Sequence, residues 1–86
     1  MEIDKQDLEL IMMCAMRYAF GRSSYVVGTV QNFIVEHCDV ENVDKFVKDI
    51  ERFLKDYEDN FFHKDEWIIQ SWKEMIIKLN DKKNHE

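Results

Sequence analysis

Apolar residues recur every three or four positions along most of this chain, and short polar segments separate four such runs. The period is most regular between residues 42 and 59, where acids and lysines fill the positions between the apolar ones. The repeating apolar residues there are Val43, Phe46, Val47, Ile50, Phe53, Leu54 and Tyr57. Because this spacing is typical of an amphipathic helix, the pattern predicts a helix over 42–59.

The other three runs predict helices over about 4–20, 24–38 and 65–79. The residues predicted to cap the four helix N-termini are Asp4, Ser23 or Ser24, Asp39 or Asn42, and Asp65, and Asn60 is a candidate C-cap. We therefore expect an all-α protein, a small bundle of about four helices that forms a single domain over residues 1–86, with 80–86 as a frayed tail.

The first predicted helix carries apolar side chains on nearly every side between Leu8 and Phe20. A helix of this kind is packed by neighbours on more than one side, or by another subunit. The second alternative predicts a homodimer through the apolar first helix.

The two glycines flank the start of the second helix, whose sequence also permits a strand. Gly21 predicts a left-handed C-cap for the first helix, and Gly28 predicts close backbone approach by a neighbouring helix. Valine and tyrosine favour a strand over YVVGTV, but the helical period continues unbroken through QNFIVEHC. The predicted buried stripes are Val26 or Val27, Val30, Phe33, Ile34 and His37 in the second helix, and Trp67, Ile68, Trp72, Met75, Ile76 and Leu79 in the fourth.

The composition narrows the class of protein. The 86 residues are 45% hydrophobic, contain no proline and carry a net charge of −6. An acidic balance disfavours nucleic-acid binding, which needs a basic face. It suits a soluble cytoplasmic protein, or one that docks on a basic protein surface. Two cysteines, Cys14 and Cys38, are expected to be reduced and buried. The N-terminal segment lacks a secretory pattern, and the longest apolar run is too short for a membrane span.

No residue pattern points to catalysis, a metal or a cofactor. Cys14, His37, Cys38 and His63 lack the spacing of a zinc site, and two isolated glycines cannot form a phosphate-binding loop. We therefore predict that the chain is not an enzyme and holds no cofactor or metal.

The third helix region carries eight acids and four bases between residues 39 and 60. One interpretation is a mimic of nucleic acid; the other is a solvated helix face with pairs such as Glu51 and Lys55. Asp49, Asp56, Glu58 and Asp59 are the candidate partner-binding acids of this region.

Arg17, Arg22 and Tyr25 are the remaining candidate residues, because they interrupt an apolar run. The arginines either pair internally with acids such as Asp49 or Glu51, or form with the tyrosines a patch of the residue types that dominate protein-interface hot spots. Both alternatives stay open at the level of sequence.

The segment RYAFGRSSYVV resembles a motif of small uncharacterised tailed-phage and prophage proteins, Arg-Tyr-x-Leu-Gly-Arg-x-Thr-Tyr-x-Val. The matches are Arg17, Tyr18, Gly21, Arg22, Tyr25 and Val27, with Phe20 and Ser24 as departures. A weaker likeness covers KDIERFLKDYEDN, with Lys48 as a departure, and the tryptophan at residue 67.

The resemblance implies an origin in a phage or prophage and no established enzymatic activity. By analogy with other small acidic phage proteins, we expect stoichiometric binding and inhibition of a host or bacterial defence protein, CRISPR nucleases included, in the host bacterial cytoplasm. The alternative is a self-associating structural or regulatory accessory protein of phage replication or packaging.

Overall fold

The computed structural model describes residues 3–60 and 64–85, and throughout these ranges it confirms an all-α fold without strands. The helices are α1 (Lys5–Ala19), α2 (Ser24–His37), α3 (Val43–Asn60) and α4 (Glu66–Asn84), and a 3₁₀ turn over Val40–Asn42 precedes α3. Contacts divide the chain into two compact units, Met1–Cys38 and Asp39–Glu86. The predicted single domain over residues 1–86 stays a prediction.

The helix termini follow the predicted capping chemistry in part. The carboxylate of Asp4 accepts a hydrogen bond from the backbone N–H of Gln6, and that of Asp65 accepts one from the N–H of Trp67. These contacts satisfy N–H groups that lack a partner within the first turn of a helix. Ser23 is the N-cap of α2 by position, but its side chain makes no capping hydrogen bond.

In the first unit, α1 packs on α2 as a helical hairpin. Its buried residues are Met12, Met13, Met16, Ala19, Phe20, Val27, Ile34 and Cys38. The opposite face of α1 is exposed, so neighbouring helices of the described residues do not cover it, and the predicted alternative of another subunit stays a prediction for that face. Cys14 lies on the exposed side, which contradicts its predicted burial, whereas burial of Cys38 is confirmed.

The helical course of α2 excludes the strand alternative over residues 25–30. The buried stripe is narrower than predicted, because Phe33 and His37 are exposed. The centres of their rings lie 4.8 Å apart, with the ring planes tilted by 46°. A Cβ built on Gly28 would meet no atom within 4 Å among the described residues, so the predicted close approach at Gly28 is wrong.

Gly21 lies just beyond the end of α1, as predicted, but not in a left-handed conformation. No glycine has a positive φ, and the chain turns through Phe20, whose backbone is still helical. The backbone N–H of Arg22 donates to the carbonyl of Ala19 at 3.0 Å and closes the turn. The helix therefore ends without the special backbone conformation that favours glycine.

In the second unit, α3 packs against α4, and the 3₁₀ turn contacts both helices. The buried residues are Val43, Phe46, Ile50, Leu54, Tyr57, Ile68, Ile69, Trp72, Met75 and Leu79. All five from α3 belong to the predicted stripe, and Val47 and Phe53 are half-buried. The prediction for α4 is wrong at Trp67, which is exposed, and it missed the buried Ile69.

Two polar contacts link the ends of α3 and α4. The hydroxyl of Tyr57 accepts a hydrogen bond from the backbone N–H of Asp65 at 2.8 Å, and Lys83 Nζ lies 2.9 Å from an Asp44 carboxylate oxygen. Helix α4 extends to Asn84, so residues 80–84, predicted as a frayed tail, are helical. The predicted C-cap Asn60 is the last residue of α3, and its amide donates to the carbonyl of Asp56.

Replacement of Gly28 by alanine should raise the free energy of unfolding by about 1 kcal/mol, because alanine restricts the unfolded chain and the helix has room for its methyl group. Urea denaturation measures the change. Gly21→Ala is the matched control, since Gly21 has equal room but lies outside the helices. A loss of stability in Gly28→Ala would contradict the open surroundings of this residue.

Removal of the Tyr57 hydroxyl should lower the free energy of unfolding by about 1 kcal/mol, because Tyr57→Phe leaves the part-buried N–H of Asp65 without its acceptor. Tyr25→Phe provides the control, because this tyrosine is 81% exposed and its loss of a hydroxyl should change stability by less than about 0.5 kcal/mol. Equal effects of the two changes in urea denaturation would count against the contact.

Candidate functional site

The turn between α1 and α2 gathers most of the polar residues that stood out in the sequence. Arg17 lies in the last turn of α1, Arg22 in the turn itself, and Tyr25 in the first turn of α2. Because the two helices form a hairpin, all three residues lie at the same end of the first unit. We call Arg17, Tyr18, Arg22 and Tyr25 the corner surface.

Arg22 is held against Tyr18 by two contacts. Its Nε donates a hydrogen bond to the backbone carbonyl of Tyr18 at 3.2 Å, and its Cζ lies 4.4 Å from the centre of the Tyr18 ring. The first contact places a positive charge at the C-terminus of α1, where it complements the helix dipole. The second is a cation–π interaction. The guanidinium and the ring are thus preorganised as one outward-facing group.

The two tyrosines of the corner surface are largely exposed, so their rings do not pack in the core of the fold. Tyr18 is 61% and Tyr25 81% exposed. Arg17 is exposed on α1 as well. Its predicted pairing with an acid of α3 stays a prediction.

A second feature of the first unit is the exposed side of α1. It lies opposite the buried methionines and carries Leu10, Ile11, Cys14 and Tyr18, which we call the apolar α1 face. Leu10 is 63% and Ile11 49% exposed. Isolated exposed apolar residues are common on protein surfaces, whereas these four lie together along one helix face.

The acidic candidates lie in the second unit. Asp49 is largely covered and pairs with Arg52, one turn along α3, with 3.5 Å between carboxylate and guanidinium. This pair agrees with a solvated helix face of mixed sign rather than a mimic of nucleic acid. Asp56, Glu58 and Asp59 are exposed near the C-terminus of α3, where negative charge opposes the helix dipole.

A shallow groove of about 460 Å³ runs between α3 and α4. Its apolar floor is formed by Val47, Leu54 and Ile76, and its rim carries two acids and two lysines: Glu51, Glu58, Lys55 and Lys73. The groove is open to solvent, and the charges on its rim cancel. Its chemistry therefore selects no class of small ligand.

Comparison with protein-family models, with curated proteins and with solved structures finds no match for this chain.

Metal and membrane chemistry find no support within the described ranges. No group of three histidine, cysteine or acidic side chains there could hold a metal ion, and His63, one of the residues considered for a zinc site, lies outside these ranges. None of the described helices combines the length and the apolar character that crossing a bilayer requires.

The sequence did not identify Leu10 and Ile11 as surface residues, because it left open whether neighbouring helices or another subunit cover the apolar sides of the first helix. The signal that separates them is the register. The buried positions 12, 13, 16 and 19 follow one helical stripe, and positions 10, 11, 14 and 18 follow the opposite one. Two apolar stripes on opposite sides of one helix cannot both face a single partner helix.

Proposed function

We propose that this chain acts by binding another protein through its corner surface. The observation that carries the proposal is the Arg22 guanidinium held over the Tyr18 ring, beside a tyrosine at residue 25 that is 81% exposed. Arginine and tyrosine are enriched among the few residues that dominate the binding energy of protein interfaces. Both tyrosine rings offer large contact areas that the fold leaves uncovered.

Preorganisation strengthens this proposal. A free arginine side chain loses conformational entropy when a partner fixes it, at a cost of about 0.5–1.5 kcal/mol. Arg22 is already restrained by its hydrogen bond to the Tyr18 carbonyl and by its stacking on the ring. When a partner binds this pair, little further conformational entropy of the Arg22 side chain is lost, because folding has already restrained it.

We further propose that the partner is a host or bacterial defence protein and that the chain is a phage- or prophage-encoded inhibitor that acts stoichiometrically. The support is the overlap between the phage motif and the corner: Arg17, Tyr18, Arg22 and Tyr25 are all motif positions and all exposed. Phe20 and Val27 of the motif are buried and serve packing, so contact with a partner is the better explanation only for the four exposed positions.

The net charge of −6 favours a partner with a basic surface. The exposed acids Asp56, Glu58 and Asp59 are the proposed second contact region, because they remain at a helix end where they oppose the dipole. Charge complementarity of this kind contributes more to the rate of association and to specificity than to affinity.

A self-associating accessory protein of phage replication or packaging is the second candidate function. It is favoured by the apolar α1 face, which offers a second copy a stripe of exposed aliphatic and aromatic side chains. The two candidates differ in a measurable way, because an inhibitor recovers a foreign partner whereas an accessory of this kind forms larger species by itself.

The test is affinity capture from bacterial lysate with three tagged proteins: the wild-type chain, Arg22→Glu and Tyr25→Ala. Wild type should recover one dominant protein, and each corner variant should lose at least about 90% of it, because removal of a hot-spot residue costs 2 kcal/mol or more. The recovered protein is then titrated with the chain, and its activity should fall to its minimum at about one equivalent.

Arg52→Glu is the matched control, because Arg52 is also an exposed arginine close to an aromatic ring, on α3 rather than at the corner. It should retain the partner. Circular dichroism confirms that all variants fold. Equal recovery by wild type and both corner variants would refute the corner as the binding surface, and a recovered protein whose activity is unchanged at excess would refute inhibition.

A further inference from the structure

We infer that the exposed side of α1 binds a second copy of this chain in an antiparallel arrangement. This inference deepens the second candidate function, self-association through the apolar α1 face, and rests on it. A chain that stays monomeric would contradict both, whereas a dimer that changes at Asp7 and Arg17 leave intact would contradict only the arrangement inferred here. The antiparallel arrangement is inferred from the spacing of the exposed residues of α1 and from the position of the charges among them.

The exposed side of α1 carries a seam with the spacing of a coiled coil. Asp7, Leu10, Cys14 and Arg17 are exposed and follow one another at intervals of three, four and three residues. This alternation keeps one line of side chains facing a partner helix along its length. Ile11 and Tyr18 flank the seam on one side and widen its apolar surface.

The charges of the seam determine the direction of pairing. In an antiparallel pair with two-fold symmetry, each residue lies opposite one at the same distance from the midpoint of the helix. Asp7 and Arg17 share their midpoint with Leu10 and Cys14, so one register places Asp7 against Arg17 of the second copy and Leu10 against Cys14.

A parallel pair in register would instead place Asp7 opposite Asp7 of the second copy, and Arg17 opposite Arg17 of the second copy. Like charges directly opposed at an interface are destabilising, and charged seam positions commonly determine the direction and partner of a helix pair. The single acid and the single base of this seam are thus complementary only in the antiparallel arrangement.

Both charges complement the dipole of α1, and Arg17 also belongs to the corner surface. Asp7 lies in the first turn of α1 and Arg17 in the last, both exposed. In the antiparallel dimer, Asp7 of each copy pairs with Arg17 of the other, so one ion pair lies at each end of the apolar contacts of Leu10 and Cys14. Because the opposite charges lie at opposite ends of α1, the helix is complementary to a second copy of itself.

The size of the seam predicts a reversible dimer. A helix of 15 residues is about 22 Å long, and one such contact buries less area than a typical stable interface. Tyr25 lies on α2, outside the seam, so a dimer would carry two copies of this part of the corner surface.

Sedimentation equilibrium over a concentration series of the purified full chain tests the inference. Wild type should show a monomer–dimer equilibrium. Asp7→Arg and Arg17→Asp should each weaken the dimer at least about tenfold, because two-fold symmetry converts both attractive pairs into repulsive ones. An equimolar mixture of the two variants should restore dimers close to wild-type strength, since each chain then presents the complementary charges to the other.

The mixture separates a lost contact from a lost fold, because two misfolded variants do not rescue each other. Lys73→Glu, a charge reversal in the second unit, is the control and should dimerise as wild type does. A wild-type chain that stays monomeric across the series would overturn the inference. So would a dimer that both variants leave unchanged, or variants that dimerise no better together than alone.

Discussion

A helix packed in a two-helix hairpin can bury only one of its faces, and the candidate function of this chain follows from that constraint. Helix α1 carries apolar side chains on nearly all sides, but it packs on α2 through its methionine-rich face. Leu10, Ile11 and Tyr18 are left exposed on the other side. Full burial of side chains of this size contributes about 1.5–3 kcal/mol each, so the hairpin by itself forgoes a large stabilisation that a partner can supply.

In the second unit, helix α3 has only as much apolar surface as one partner helix can cover. Helix α3 has one apolar stripe, which packs against α4, and its other positions are acids and lysines. Its surface contacts, such as the Asp49–Arg52 pair, resemble those of an ordinary solvated helix. Among the described residues, large exposed apolar and aromatic side chains are more numerous in the first unit than in the second, where Trp67 and Ile77 of α4 are exposed.

The sequence predicted those features that depend on a single dominant signal. The period of α3, the caps at Asp4 and Asp65 and the all-α class were all accessible, because one stripe or one side chain decides each of them. Periodicity alone could not predict which side of α1 faces α2, or that His37 and Trp67 are exposed. Spacing shows which residues share a helix face, but not how far the neighbouring helix covers that face. Arg22 was recognised as special, but its stacking on Tyr18 depends on how the chain turns at residues 20–23.

The unfolding free energy of Leu10→Gln, measured by urea denaturation at a concentration low enough to keep the chain monomeric, tests most directly whether the apolar α1 face is reserved for a partner. We predict a change of less than about 0.5 kcal/mol, because Leu10 is largely exposed in the folded chain. Met16→Ala, on the buried face, should cost about 2–5 kcal/mol in the same experiment. A loss in Leu10→Gln as large as that in Met16→Ala would contradict the account, because it would place this face in the core of the protein.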